Sequence, residues 1–389
     1  MSEWKKVTLD QMGIISRGRS RHRPRNDARL FGGKYPFIQT GDIGAVGLYV
    51  TKYSQTYNEE GLSQSKLWDK DTLCITIAAN IADTALLAFP ACFPDSVMGF
   101  VPFENIANVK FVKYCFDILQ KKCQQISQGT AQDNLSWEKL STILFPCPPI
   151  EVQNKIATVL SRYDSLIENY QKQIILLEEV AQRLYKEWFV DLHFPGHENI
   201  NIVDGIPEGW KKKKLIDLAN VQYGYAFDGK LFNSKKEGTP IIRIRNIPDG
   251  YTNDYTTENT SIDYIVKNGD ILVGMDGIFH INTWSGDDGY LVQRACSFRP
   301  KIDSWNGFLF VAIVEPIKYY EKTLVGATVA HLGKKHIDSI ELLFPNLEHL
   351  LAPFQDMFKK RQNALTQIRL LTEARERLLP KLMSGEIEV

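Results

Sequence analysis

With 389 residues, 44% of them hydrophobic and 24% charged, and a formal net charge of zero, the chain is long enough for two or three domains of ordinary globular composition. No run of about 18 apolar residues offers a membrane span, and Met1-Ser2-Glu3-Trp4-Lys5 lacks the apolar core of a signal peptide. The six cysteines form no Cys-x-x-Cys pair and no zinc-ligand spacing with histidine, so no metal site is expected, only reduced and mostly buried thiols of a cytoplasmic protein.

Taken in chain order, residues 1–150 alternate short apolar runs with Gly and Pro, as a mixed α/β globule does. Overall neutrality argues against nucleic acid, but the local distribution overrides it. Arg17, Arg19, Arg21, Arg23, Arg25 and Arg29 crowd a segment whose one acid is Asp27, a basic patch suited to phosphates. Alternate arginines in an extended loop put several guanidinium groups on one side, and Arg17, Arg19, Arg21, Arg23 and Arg25 are the first candidates for DNA contact. An ordinary solvated basic loop is the competing reading. Residues 72–77 and 106–112 are expected as strands, and 116–126 as a short amphipathic helix. Gly129-Thr130-Ala131-Gln132 and Asn134 form a small polar turn, either a further DNA contact through Thr130, Gln132 and Asn134 or a structural boundary.

Residues 151–190 differ. After Pro146, Pro148 and Pro149, no Pro or Gly interrupts the chain until Pro195-Gly196. Ile156, Leu160, Tyr163, Ile167, Tyr170, Ile174, Leu177, Ala181, Leu184 and Trp188 recur at alternating spacings of four and three. That is a coiled-coil seam on a helix about 58 Å long at 1.5 Å per residue. A linker, 191–206, leads to a second α/β globule over 207–345. There Lys211–Lys214 read as a solvated basic run, and 240–244, 270–273 and 308–314 as strands. Arg243 and Arg245 share one face of the first of these, beside Asn246, whose amide suits adenine; structural ion pairs within the globule are the competing reading. In 346–389 a second seam runs Met357, Arg361, Ala364, Ile368, Leu371, Arg375, Leu378, Leu382. Two arginines interrupt it, and Pro380 is expected to kink or end the helix. Two apolar seams left unpaired would be exposed, so the helices are expected to pair antiparallel.

The chain is written twice. Trp4-Lys5-Lys6-Val7 returns as Trp210-Lys211-Lys212-Lys213, Gly41-Asp42-Ile43 as Arg245-Asn246-Ile247, Gly129-Thr130-Ala131 as Gly326-Ala327-Thr328, and Leu144-Phe145-Pro146 as Leu343-Phe344-Pro345. A period near 200 residues indicates a duplicated domain-plus-helix unit rather than a solenoid. Catalytic signatures are missing. The P-loop-like stretch from Gly224 to Lys230 continues with Leu231 where a hydroxyl must ligate magnesium. No amino-methylation motif, nucleotide-cofactor glycine cluster or nucleophile elbow occurs, and neither Asp42 nor Asp276 has an evident acid–base partner. A binding role follows.

Three stretches carry a family resemblance. They are Gly32-Gly33-Lys34-Tyr35-Pro36-Phe37-Ile38-Gln39-Thr40-Gly41-Asp42-Ile43, then Gln128-Gly129-Thr130 through Phe145-Pro146-Cys147-Pro148-Pro149, and finally Arg377-Leu378-Leu379-Pro380-Lys381-Leu382-Met383-Ser384-Gly385. Together they resemble the DNA-specificity subunits of type I restriction–modification systems over essentially the whole chain. The stretches 17–20 and 325–332 depart from the family pattern. The resemblance implies two similar α+β target-recognition globules separated by two long antiparallel coiled-coil helices, with internal pseudo-twofold duplication. Each globule would contact half of a split site in double-stranded DNA. The helices would space the half-sites and dock two modification (methyltransferase) subunits, which carry S-adenosylmethionine. Two restriction subunits using ATP and magnesium would join through them. The chain itself would hold no cofactor and touch no membrane. Half-sites one turn of B-DNA apart lie about 34 to 36 Å from each other, within reach of helices of about 40 to 58 Å. A stand-alone DNA-binding regulator and a protein-binding scaffold are the rival readings.

Overall fold

The computed structural model describes residues 4–44, 46–78, 81–127, 135–324 and 330–389. The chain folds as two compact units, Met1–Glu168 with Thr372–Val389, and Asn169–Leu371. Each unit holds one globule, a portion of the helix Ile150–Tyr185 and a portion of the helix Ala352–Ser384.

In the first unit, Gly13–Arg17, Val97–Pro102, Leu73–Thr76, Thr84–Leu87 and Tyr49–Val50 line up in that order as a five-stranded sheet. Leu73–Thr76 is buried at every position, which a central strand covered on both faces requires. A second sheet runs Gln55–Tyr57, Phe31–Phe37, Ala91–Cys92, Leu67–Trp68, with Phe37 and Cys92 paired in parallel. Lys5–Val7 and Phe145–Cys147 close the globule as an antiparallel ladder.

The second unit repeats this topology. Ala219–Tyr223, Ala295–Pro300, Ile271–Gly274 and Ile281–Thr283 reproduce the first four strands in order. Tyr255–Thr256, Thr239–Ile242, Gly289–Leu291 and Ile265–Val266 reproduce the second sheet, including its parallel pair. Lys211–Lys214 pair antiparallel with Glu341–Phe344, as Lys5–Val7 do with Phe145–Cys147. The duplication is therefore one of strand order as well as of sequence.

Two expected strands are helical. Residues 109–112 open the helix Val109–Ser127, because the Asn108 side chain accepts from the amides of Lys110 and Phe111 at 2.9 and 3.1 Å and so caps it. Residues 308–312 lie in the helix Asn306–Ala312, every residue of which from Gly307 to Ala312 is buried. A helix buried all round shows no 3.6-residue periodicity and reads like a strand. Pro380 does not end the second long helix, which continues to Ser384. Leu382 and Met383, at 1% and 5% exposure, enter the first unit's core and hold the turn that proline weakens.

The helix seams are partly covered within each unit. Ile156, Leu160 and Ala181 are buried, and Tyr163, Ile167, Tyr170, Ile174, Leu177, Leu184, Met357, Ile368, Leu371 and Leu378 are half-buried. In the first unit Asp164 meets Arg375, and Lys155 Nζ donates to the Val389 carbonyl at 3.1 Å. As one helix ascends in number the other descends, which is antiparallel packing. In the second unit Glu178 meets Arg361 at 2.6 Å. The first helix is followed by a π-helical turn, Lys186–Val190, whose i→i+5 bonding accompanies the placement of Phe189 among Phe308, Trp210 and Phe354 at ring distances of 5.0, 5.2 and 5.8 Å.

Candidate nucleic-acid interface

The same strand ends converge in each unit. In the first, Gly18 N donates to Val97 O at 2.8 Å and Arg19 N to Phe93 O at 3.0 Å. A Cβ on Gly18 would stand 2.3 Å from Pro94 O, so this crossing requires glycine. In the second, Gly224 N donates to Ala295 O at 3.0 Å, and its Cβ would stand 2.1 Å from Val292 O. A loop leaves each crossing and ends in a 3-10 turn, Ala28–Leu30 or Gly229–Leu231. Asp27 and Asp228 cap these turns by accepting from Arg29 N and Lys230 N, both at 3.0 Å.

The arginine run does not form an extended comb. Arg17 ends a strand, while the Arg21 and His22 amides both donate to Gln64 Oε1 and fold the loop back. Arg23 Nη1 donates to the Ser20 and His22 carbonyls at 2.6 and 2.9 Å. Arg25 Nη2 donates to both oxygens of Asp95 at 2.7 and 2.9 Å. Arg19 is half-buried, with its Nε out of contact with solvent. Glu138 is held below its ordinary pKa, first by the Ser136 hydroxyl and its own amide, and lastly by the charge of Arg17. Asp27 lies well below the carboxylate range, chiefly through its hydrogen bonds with Arg29 and then His22. Arg17, Arg21, Arg23 and Arg25 remain exposed.

Arg243 and Arg245 also depart from expectation. The strand stops at Ile242 and a 3-10 turn, Ile244–Asn246, follows. Asn246 Oδ1 accepts from Arg243 N at 2.9 Å, as Asp42 Oδ2 accepts from Gln39 N at 2.8 Å in the first unit. The Asn246 amide therefore closes its own turn instead of standing free for a base. Arg245 and Arg243 converge on Asp254 at 2.6 and 3.9 Å, and Arg243 lies over the Phe232 ring.

A third cluster centres on Asp276. Asp276 accepts from Arg294 Nη1 at 2.9 Å and meets His331 Nδ1 at 2.6 Å, so it does have partners. Met275 N donates to Arg294 O and Leu332 N to Met275 O, the bonds that Ile77 makes with Ser96 and Leu135 in the first unit. Ala78 and Ser96 thus stand where the second unit carries Asp276 and Arg294. His331, preceding Leu332, corresponds to Asn134. Thr130, Gln132 and Asn134 lie outside the described residues, as do 325–329.

Arg25, Arg245 and Arg294 share one design. Each is exposed and held by an aspartate. Exposed ion pairs contribute only about 0–1 kcal/mol to folding, whereas a pre-oriented guanidinium fits phosphate or a guanine edge in two bonds at once. Among the described residues no group of three or more His, Cys, Asp or Glu could hold a metal ion, and no helix is long and apolar enough to cross a membrane.

A family profile described as the type I restriction modification DNA specificity domain matches residues 1–179 and again 207–376. The chain belongs to that family. This specificity subunit is 26% identical to the type I restriction enzyme MjaIX specificity subunit of Methanocaldococcus jannaschii, over all of this chain and 94% of the relative. It is 23% identical to the HindI specificity subunit of Haemophilus influenzae, over the full length of both. The crystal structure of the type I S subunit from M. genitalium shares its fold, with a TM-score of 0.58 and 17% identity over 97% of this chain and 96% of that one. The two profile matches fall one on each copy of the repeat, so the family's unit is the duplicated globule with its helix.

Proposed function

We propose that each globule of this specificity subunit reads one half of an asymmetric, split DNA site, and that the chain is not itself a catalyst. In support of this, one strand order is used twice with different side chains at the same strand ends. Arg25 with Asp95 marks one copy, and Arg294 with Asp276 and His331 marks the other. A shared scaffold with diverged contact residues suits two unlike half-sites.

The helices are proposed to set the spacing and to dock two methyltransferase subunits, which would bring S-adenosylmethionine and the methyl-transfer chemistry. Restriction subunits with ATP and magnesium would join through them. Exposed apolar side chains on the helix Ile150–Tyr185 support docking: Leu176 is 60% and Val180 53% exposed. They border a groove of about 450 Å³ that Tyr170, Leu177 and Met357 also line. Apolar side chains bordering a groove suit a protein contact, which favours an assembly over a stand-alone DNA-binding regulator.

The test is co-purification of the full chain with the methyltransferase subunit encoded beside it, followed by DNA binding at several salt concentrations. The expected result is a stable complex whose log affinity falls with log salt at about 0.9 per phosphate contacted. DNA binding by the chain without any complex would favour the regulator. A complex with no salt-dependent affinity would favour a protein scaffold.

A further inference from the structure

Arg361 sits on the second long helix, is 5% exposed, and lies over the Phe310 ring at 4.4 Å. Its guanidinium makes three separate bonds. Nε donates to Glu178 Oε1 of the first long helix at 2.6 Å, Nη1 to Thr283 Oγ1 at 2.7 Å, and Nη2 to Asn282 Oδ1 at 2.7 Å. Asn282, itself buried, then donates from Nδ2 to the Ile247 and Pro248 carbonyls at 2.9 and 2.8 Å. Ile247 closes the 3-10 turn that follows Arg243 and contains Arg245.

Neighbouring bonds brace the same strip. Gln362 Nε2 donates to Trp284 O and Arg369 Nε to Ser285 O, while Ser285 N donates to Gly250 O at 2.7 Å. A continuous chain of directional bonds thus runs from both helices to the arginine-bearing turn. The first unit differs: its buried Asp164 links Arg375 to Tyr114 on the helix Val109–Ser127, and not to the turn closed by Asp42. Buried ion pairs contribute little net stability compared with apolar residues of the same volume. Their bonds do select one relative placement, and Lys in place of Arg cannot reproduce three divergent donors in a plane.

We infer that Arg361 is a positioning residue for DNA reading by the second globule, fixing residues 243–246 against the helix pair through Asn282. This rests on the split-site function proposed above. Asn282→Asp isolates the step. It keeps an oxygen to accept from Arg361 and puts a carboxylate oxygen in place of the amide donor, so the link to Ile247 and Pro248 is cut while the link to Arg361 is kept. Arg361→Lys keeps the charge and loses the three-way geometry.

Each full-length variant is co-expressed with the methyltransferase subunit, and methylated adenines in host DNA are mapped. Both variants should leave the first half-site intact and reduce discrimination at the second by about tenfold, the scale of one mismatched base pair. Wild-type discrimination at both half-sites in Asn282→Asp overturns the proposal. So does failure of both variants to form any complex, since the network is then purely structural. A wild-type complex that methylates no split motif removes the underlying function, and the positioning role with it.

Discussion

Asp164 shows how single residues divide the work. It is 8% exposed and accepts from the Tyr114 hydroxyl and Arg375; burial first, and then the Asp164 charge, raises the Tyr114 pKa far above its ordinary value. Arg375→Met strands that carboxylate and should cost about 3–5 kcal/mol, whereas Asp164→Leu with Arg375→Met together should cost far less. Urea unfolding of the single and double variants checks this, and a single-variant loss below about 1 kcal/mol contradicts it. In the seam pattern Arg361 and Arg375 stand out only as interruptions. They lie two heptads apart, as do Asp164 and Glu178, and that matched spacing is the legible sign of paired charges. The correspondence of Asp42 with Asn246 is also visible in the sequence, but its meaning is not. An asparagine beside two arginines suggests base reading, while its place three residues after Arg243, whose amide donates to it, makes it a turn closure.

Among elements, the long helices are the most legible, because a strict four-three spacing sustained over so many residues fits a paired helix and little else. In Val109–Ser127 the stretch 116–126 is legible as an amphipathic helix but its start is not, since it begins at an Asn cap that no apolar pattern announces; Asn306–Ala312 is not legible, being buried from Gly307 onward. The helix Ile150–Tyr185 has 36 residues, about 54 Å at 1.5 Å each. If helix length sets the gap between half-sites, seven residues added after Glu168 and seven before Thr372 should lengthen it by about 10 Å, or about three base pairs at 3.4 Å. The methylated motif of the lengthened subunit measures this directly. An unchanged gap removes the helices as the ruler.

For the molecule as a whole, the duplication is legible from short matched segments alone, and the strand order extends it to features no local pattern carries. The folded-back arginine loop, the Asp276 cluster and the Arg361 network all depend on partners far apart in sequence. Spacing within one segment cannot reveal them. Their asymmetry between the two units is what the proposed reading of two different half-sites would require.

One globule for one half-site makes a direct demand on a hybrid in which residues 207–345 are exchanged for those of a relative with another specificity. The hybrid is co-expressed with the methyltransferase subunit, and methylated adenines are mapped across host DNA. One half of the split motif should change while the other half and the gap stay as they were. A motif altered in both halves, or in neither, rules out one globule for each half-site.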